Sequence, residues 1–117
     1  MTDGYLSING RRRLFGETSV QGSKNSALPC LTACCMCEKG RCNLCRCPYL
    51  SYVENTMEIM ETQGCRCKYD SERELANISA ESIFGSTIEP EMMNRMRSSI
   101  LFLGVLLSRI GEADVGY

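Results

Sequence analysis

A lysine and an asparagine, Lys24 and Asn25, lie at the centre of residues 21–29, which read QGSKNSALP. A short strand is predicted before this stretch, and the apolar residues within and after it have the spacing of a helix. Gly22 permits a sharp turn between the two elements, because glycine adopts φ values that other residues avoid. Lys24 would then lie near the positive end of a helix, a place that suits a phosphate or a carboxylate. By itself this signal is weak, since a Lys-Asn pair in a turn is more often a solvated surface pair.

The surrounding elements follow from alternation and helical spacing. They are a strand at 5–9, a connection at 10–16, a strand at 18–21, a helix at 26–37, a strand at 41–47, a helix from 51 to 63, and strands at 65–68 and 73–79. Pro29 is tolerated because it would lie in the first turn of its helix. Gly40 is placed near that helix's C-cap. Ser51 and Glu54 match a capping box at the start of the next helix, which Gly64 would stop.

Two apolar faces are predicted on helices. The first is the stripe of Val53, Met57 and Met60, a pattern typical of a buried core face. The second belongs to one long helix over 91–110, and its apolar residues are Met92, Met93 and Met96. Glu91 and Arg95 would form an i,i+4 ion pair on this helix. Gly111 would end it, and residues 113–115 would begin a further strand.

Composition excludes several functional classes. A chain of 117 residues allows one modest domain with a buried core. A formal net charge of −1 provides no electrostatic case for binding nucleic acid or an anionic membrane. The longest apolar run, at 100–107, is too short to span a bilayer, and the N-terminus has no apolar signal segment. Histidine is absent, which excludes Ser-His and Cys-His catalysis and any histidine metal ligand.

The nine cysteines raise the question of a metal site. Without an export signal they are expected to be reduced thiols in the cytosol, and an odd number cannot form a complete set of internal disulfides. The spacing Cys34-x2-Cys37-x4-Cys42-x2-Cys45 resembles the paired ligands of four-cysteine zinc sites. Against this, the central gap is short, and the two pairs would lie on a helix and a strand. We therefore expect cysteines packed as small apolar residues and no metal, with a cysteine-rich metal-binding module as the alternative function.

Four short sequence motifs occur along the chain in a characteristic order. They are QGSKNSALP at 21–29, VENTM at 53–57, MRSS at 96–99 and LSRIGE at 107–112. Together they closely resemble the N-terminal part of the UDP-N-acetylglucosamine 1-carboxyvinyltransferase family. These enolpyruvyl transferases begin bacterial peptidoglycan synthesis and thus serve the cell wall. The resemblance runs from about Leu6 to Val115, nearly the whole chain.

The resemblance implies a fold of the α/β (α+β) class. The family forms inverse α/β barrels by repeating a βαβαββ unit in two similar domains. Residues 1–117 would be the N-terminal part of such a domain. Within it, residues 4–17 would be an N-terminal strand and connection, residues 18–79 one complete unit, and residues 80–117 the start of a second.

The resemblance also implies the chemistry. The family transfers the enolpyruvyl group of phosphoenolpyruvate to the 3-hydroxyl of UDP-N-acetylglucosamine and releases phosphate, with no metal or other cofactor. Lys24 matches the catalytic lysine that contacts phosphoenolpyruvate, and Asn25 matches the asparagine that helps hold the sugar nucleotide. Arg97 matches an arginine that contacts the UDP-sugar, a role that suits the donor fork of a guanidinium. The related enzyme of the shikimate pathway has Gly-Ser-Lys-Ser in its loop, so Asn25 favours the UDP-sugar enzyme.

Departures from the family pattern limit what these residues are expected to do alone. Tyr52 stands where the family usually has aspartate, and the 117 residues contain no Pro-Gly-Gly-Cys loop, which carries the family's general acid. The chain by itself is therefore expected to be inactive, and a non-catalytic truncated paralogue is a further hypothesis. We also expect self-association through apolar residues that a missing remainder would leave uncovered, namely Ile100, Leu101, Leu103 and Leu106.

Overall fold

Short helices and strands alternate along the described residues, which are 4–95 and 97–116 of a computed structural model. The helices are α1 (Lys24–Cys34), α2 (Ser51–Thr62), α3 (Pro90–Met93), a 3-10 helix (Arg97–Ile100) and α4 (Leu101–Arg109). The strands are β1 (Cys42–Leu44), β2 (Arg66–Asp70), β3 (Leu75–Ser79), β4 (Thr87–Ile88) and β5 (Asp114–Val115). The apolar role expected for Met96 lies outside the described residues.

An antiparallel sheet with the strand order β1-β3-β2 forms the centre of the first unit. Ile78 of β3 lies opposite Cys42 of β1 on one side and opposite Cys67 of β2 on the other. Helix α1 packs against α2 and β3, and α2 packs against β2. The predicted succession of helix, strand, helix, strand and strand is therefore confirmed over residues 24–79.

One apolar core joins the two units. Its fully buried side chains include Leu31, Val53, Met60, Ile78, Ile88, Phe102 and Leu106. The stripe predicted on α2 is confirmed, since Val53, Met57 and Met60 are all buried. Gly64 follows that helix with a φ of 98°, a value that favours glycine, so the predicted stop is also confirmed. Because isolated helices of this length are marginal in water, such packing supplies most of their stability.

The predicted strands at 5–9 and 18–21 are wrong. Residues 4–22 belong to no strand, and Leu6, Ile8 and Val20 are 92%, 84% and 77% exposed. Alternation of side chains is a local property, whereas a strand requires a neighbouring edge for its backbone hydrogen bonds. No described strand pairs with this segment, and the first strand of either described sheet is β1. The first unit therefore lacks its leading strand within the described residues.

Helix α1 begins and ends earlier than predicted. Ser23 is its N-cap, and the Ser23 hydroxyl accepts from the Ser26 amide at 3.4 Å, so Lys24 is already helical. Pro29 consequently lies in the second turn rather than the first. At the other end the bond from the Met36 amide to the Ala33 carbonyl, 2.9 Å long, tightens the last turn after Cys34.

The caps predicted at Gly40 and Ser51 are also wrong. Gly40 lies beyond the helix in a bend, where its amide donates to the Glu81 carboxylate at 2.6 Å. Ser51 is the first residue of α2, and the N-cap Leu50 has no side-chain capping bond. Glu54 does not reach back to the cap, because its carboxylate accepts from the Tyr49 hydroxyl at 3.3 Å.

The single helix predicted over 91–110 is broken into α3, the 3-10 helix and α4. The Ser99 hydroxyl donates to the Met93 carbonyl at 2.9 Å and so competes for an acceptor that a continuous helix would use. The predicted Glu91–Arg95 pair is replaced by Arg95 and Glu58, with Nη1 2.9 Å from Oε2. Among the described residues, no helix has the length and apolarity needed to cross a bilayer.

The broken helices connect two parallel strands. Thr87 of β4 lies opposite Asp114 of β5, so the strand predicted at 113–115 is confirmed. Parallel neighbours require a crossover, which α3, the 3-10 helix and α4 provide. The apolar surface expected on this segment is exposed only in part. Ile100 and Leu101 are 48% and 39% exposed, but Leu106 is fully buried, because it packs into the common core with Phe102.

Gly22 lies so close to the turn after β1 that a side chain cannot be added. A Cβ atom there would collide with the Arg46 backbone carbonyl oxygen. Gly22→Ala should therefore destabilise the fold by about 1–3 kcal/mol, as overpacking does. Gly104→Ala is the matched control, because a Cβ in α4 would meet no atom within 4 Å. The free energy of unfolding of that variant should rise by about 0.5–1 kcal/mol, because alanine loses less backbone entropy on folding than glycine does. Urea unfolding of both variants measures these changes, and a neutral Gly22→Ala would contradict the packing.

Candidate functional site

Helix α1 presents its first residues to solvent. Lys24 is the first helical residue and is half-buried, and Asn25 follows it and is exposed. The Ser23 hydroxyl and carbonyl accept from the amides of Ser26 and Ala27, but the first two helical amides have no acceptor within the helix. Lys24 therefore extends from the helix end that carries two free amides and the positive end of the helix dipole.

A cleft of about 440 Å³ opens beside this helix end. Its walls are formed by Lys24, Asn25, Leu28, Tyr52, Asn94, Arg95 and Arg97. The structure therefore brings the predicted site residues Lys24, Asn25 and Arg97 to one cleft, from two segments far apart in the sequence. Residues 24 and 25 come from α1, and residue 97 begins the 3-10 helix.

The lining residues of the cleft include three cations and no carboxylate. Arg95 is partly neutralised by its 2.9 Å ion pair with Glu58, and both side chains are about half exposed. The Lys24 Nζ lies 3.7 Å from the centroid of the Tyr52 ring, in a cation–π contact. An arrangement of this kind binds anions with several oxygen atoms, because guanidinium, ammonium and amide groups can all donate to them.

Four residues that line the cleft are not among the predicted site residues, namely Leu28, Tyr52, Asn94 and Arg95. Asn94 and Arg95 were assigned to a continuous helix, in which residues 95 and 97 would point about 200° apart. The helix break removes that constraint, so Arg95 and Arg97 both line the cleft. Tyr52 was noted as a departure from the family but not as a contact of Lys24. An aromatic residue in the first turn of α2 was the available signal.

The cysteines form no ligand set in the described part of the chain. Residues 4–95 and 97–116 contain no group of three cysteine, aspartate or glutamate residues placed to hold a metal ion. All nine thiols lie in these ranges and are free. The Sγ atoms of Cys35 and Cys65 are in contact at 3.8 Å, and both residues are buried. The metal-binding alternative therefore has no group of residues here to support it.

Burial raises the pKa of two half-buried thiols to about 12. At Cys34 burial is the main cause, followed by the neighbouring Cys42 thiol. At Cys67 burial is again the main cause, followed by Cys65 and Glu61. The pKa of Cys35 is raised as well, first by its hydrogen bond with Cys65 and then by burial. Such cysteines are packing residues rather than nucleophiles, because the thiolate is the reactive form.

Residues 8–117 match the family model for EPSP synthase (3-phosphoshikimate 1-carboxyvinyltransferase). Among curated proteins, UDP-N-acetylglucosamine 1-carboxyvinyltransferase 1 of Staphylococcus epidermidis is 37% identical over 110 residues, which are 94% of this chain and 26% of that protein. UDP-N-acetylglucosamine 1-carboxyvinyltransferase of Psychromonas ingrahamii is 38% identical over 112 residues, with 96% and 26% covered. The chain thus spans about a quarter of the length of the curated relatives it matches.

A solved structure matches the fold. The enolpyruvyl transferase NikO from Streptomyces tendae superimposes with a TM-score of 0.76 at 24% sequence identity. The match covers 87% of this chain and 23% of the NikO chain. The helices and strands described above are therefore arranged as in part of that protein.

Alkylation rates should follow the exposure and pKa of each thiol. At about pH 8, iodoacetamide should modify the exposed Cys30 and Cys45 first. Cys34 and Cys67 should react far more slowly, because a thiol with a pKa of about 12 is ionised to only about one part in ten thousand at that pH. Their rates should rise steadily up to about pH 11. Peptide mass spectrometry measures each site, and equal rates at Cys30 and Cys67 would contradict the assignment.

Proposed function

Because the chain belongs to the EPSP synthase (3-phosphoshikimate 1-carboxyvinyltransferase) family, we propose that it is part of an enolpyruvyl transferase acting on UDP-N-acetylglucosamine. The enolpyruvyl group would come from phosphoenolpyruvate and pass to the 3-hydroxyl of the sugar, as in peptidoglycan synthesis. The observation that carries this proposal is the acid-free cleft at the start of α1, where Lys24, Asn25 and Arg97 meet.

The choice of the UDP-sugar rests on two further observations. The curated relatives at 37% and 38% identity are named for UDP-N-acetylglucosamine. The residue after Lys24 is asparagine, as in the UDP-sugar enzymes, and not the serine of the shikimate-pathway enzyme. Asn25 is exposed at the cleft, so its amide can both donate to and accept from a sugar or its N-acetyl group.

Each site residue would have a distinct role. Lys24 would bind the phosphate of phosphoenolpyruvate, and its charge would stabilise the negative charge that develops as phosphate leaves. The dipole of α1 acts in the same direction. Arg97 would hold the diphosphate of the sugar nucleotide, because a guanidinium offers paired donors to phosphate oxygens. The proposal requires no metal or other cofactor, and these cations supply the electrostatic stabilisation.

The remaining parts of the proposal concern the larger protein. By resemblance, the proton donor would be the cysteine of the family's Pro-Gly-Gly-Cys loop, a sequence that the 117 residues do not contain. The described elements would form one unit without its leading strand and the start of a second unit in an inverse α/β barrel. The cytosol, where thiols stay reduced, is the proposed location, and neither nucleic acid nor membrane is a proposed partner.

In a full-length form, Lys24→Ala should lower kcat at least about 100-fold with an unchanged fold, because one preorganised charge is lost. Lys24→Arg should also be poor, since a planar fork does not replace a point charge. Lys68→Ala is the matched control, because Lys68 is an exposed lysine on β2 that does not line the cleft. Phosphate release with both substrates measures the effect. Near wild-type turnover of Lys24→Ala would remove Lys24 from the mechanism.

The 117 residues expressed alone should release no phosphate above background from the two substrates. Their cleft is open to solvent, which screens the cations and leaves the reactants unpositioned. The same polypeptide should self-associate through exposed apolar residues, with Ile100, Leu101 and Leu107 between 39% and 50% exposed. A phosphate assay and light scattering test the two parts. Turnover would overturn the inactivity, and a stable monomer would overturn the self-association.

A further inference from the structure

The aromatic ring of Tyr52 is the partner of the Lys24 ammonium group. The Nζ atom lies 3.7 Å from the ring centroid, well within the range of a cation–π interaction. Both residues line the same cleft. Tyr52 extends from the first turn of α2, which packs against α1, so the two helices hold ring and ammonium in register.

Lys24 has an unusual position for a cation. It occupies the first turn of α1, where the helix dipole disfavours positive charge. Over residues 4–95 and 97–116, no ion pair reaches it, since the pairs that occur join Arg73 to Asp70 and Arg95 to Glu58. The ring is therefore the contact that offsets this cost within the described residues.

An aromatic partner differs from a carboxylate in one important respect. A π face attracts the ammonium but carries no net charge, so it does not neutralise Lys24. A carboxylate at the same place would form an ion pair, which an incoming anion would have to break or overcome by repulsion. The ring also covers one side of the ammonium, which leaves the remaining N–H donors for the cleft.

We propose that Tyr52 is a positioning residue, which holds the Lys24 ammonium at the cleft wall with its charge uncompensated and ready for an anionic substrate group. The anion would be a phosphate or a carboxylate, the groups that an ammonium and a helix N-terminus both favour. This inference rests on the proposed function for the identity of the anion, phosphoenolpyruvate. The stacking of Lys24 on Tyr52 is independent of it.

The stacking can be tested by NMR of the 117-residue chain with ¹³C-labelled lysine. Lys39 and Lys68 are the other lysines in the sequence and serve as internal references. The Lys24 Hε signals should lie upfield of both references because of the ring current. Tyr52→Phe should keep this shift, and Tyr52→Leu should abolish it. Tyr49→Leu, a change at another exposed tyrosine outside the cleft, should leave it unchanged.

The consequence for anion binding is measured by titrating phosphoenolpyruvate into the same samples and following Lys24. Tyr52→Phe should bind as the wild type does, and Tyr52→Leu about two- to five-fold more weakly, the fold-change equivalent to one exposed cation–π contact. Tyr52→Asp should bind more weakly still, because its carboxylate competes for the ammonium. Backbone amide spectra show whether each variant is folded.

Two outcomes would overturn the positioning role. One is a wild-type Lys24 signal that coincides with those of Lys39 and Lys68. The other is a folded Tyr52→Leu variant that binds phosphoenolpyruvate as tightly as Tyr52→Phe. A shifted Lys24 signal in a chain that gives no response to phosphoenolpyruvate would support the stacking and count against the proposed substrate. The positioning role of Tyr52 and the proposed substrate can therefore be refuted independently of each other.

Discussion

The Arg109 guanidinium joins the two units of the chain through backbone carbonyl groups. It donates to the Cys35 carbonyl at 2.5 Å, to the Cys37 carbonyl at 3.3 Å and to the Ala80 carbonyl at 3.0 Å. The first two carbonyls follow α1 and the third follows β3. Carbonyl groups beyond the end of a helix or strand lack a partner within that element, and Arg109 provides donors for them. Charge-assisted bonds of this kind are stronger than neutral ones. Because Arg109 is the last residue of α4, these contacts hold α4 against the first unit.

The cleft depends on that attachment. One wall comes from the first turns of α1 and α2, and the other comes from residues 94–97, which directly precede α4. Phe102 and Leu106 of α4 bury their side chains in the same core as Leu31 of α1. Polar and apolar contacts therefore act together to place Arg97 near Lys24. A shift of α4 along α1 would separate the cations without changing either helix.

Charge is distributed unevenly around this cleft. Arg95, which lines the cleft, forms an ion pair with Glu58, whereas Lys24 contacts an uncharged ring. The cleft thus keeps positive charge that no described carboxylate balances, although the chain as a whole has a net charge of −1. The proposed anion binding would consequently be a local property, which the overall composition does not indicate. Cys34 and Cys67 have the opposite character, because burial raises the pKa of these two thiols and keeps them protonated.

The sequence by itself determined the elements whose signals are local. Helix α2, the β2–β3 pair and the stop at Gly64 follow from apolar spacing and from glycine. The motifs shared with the resembling family predicted Lys24, Asn25 and Arg97 as site residues. The tertiary structure alone decided the features that need a distant partner. Residues 5–9 and 18–21 alternate like strands, but no described edge pairs with them. The helix expected over 91–110 breaks where the Ser99 hydroxyl donates to the Met93 carbonyl and Arg95 forms an ion pair with Glu58. Tyr52 and Lys24 are in contact although they lie in the first turns of two different helices. The periodicity of apolar residues within one helix does not predict a contact between two helices.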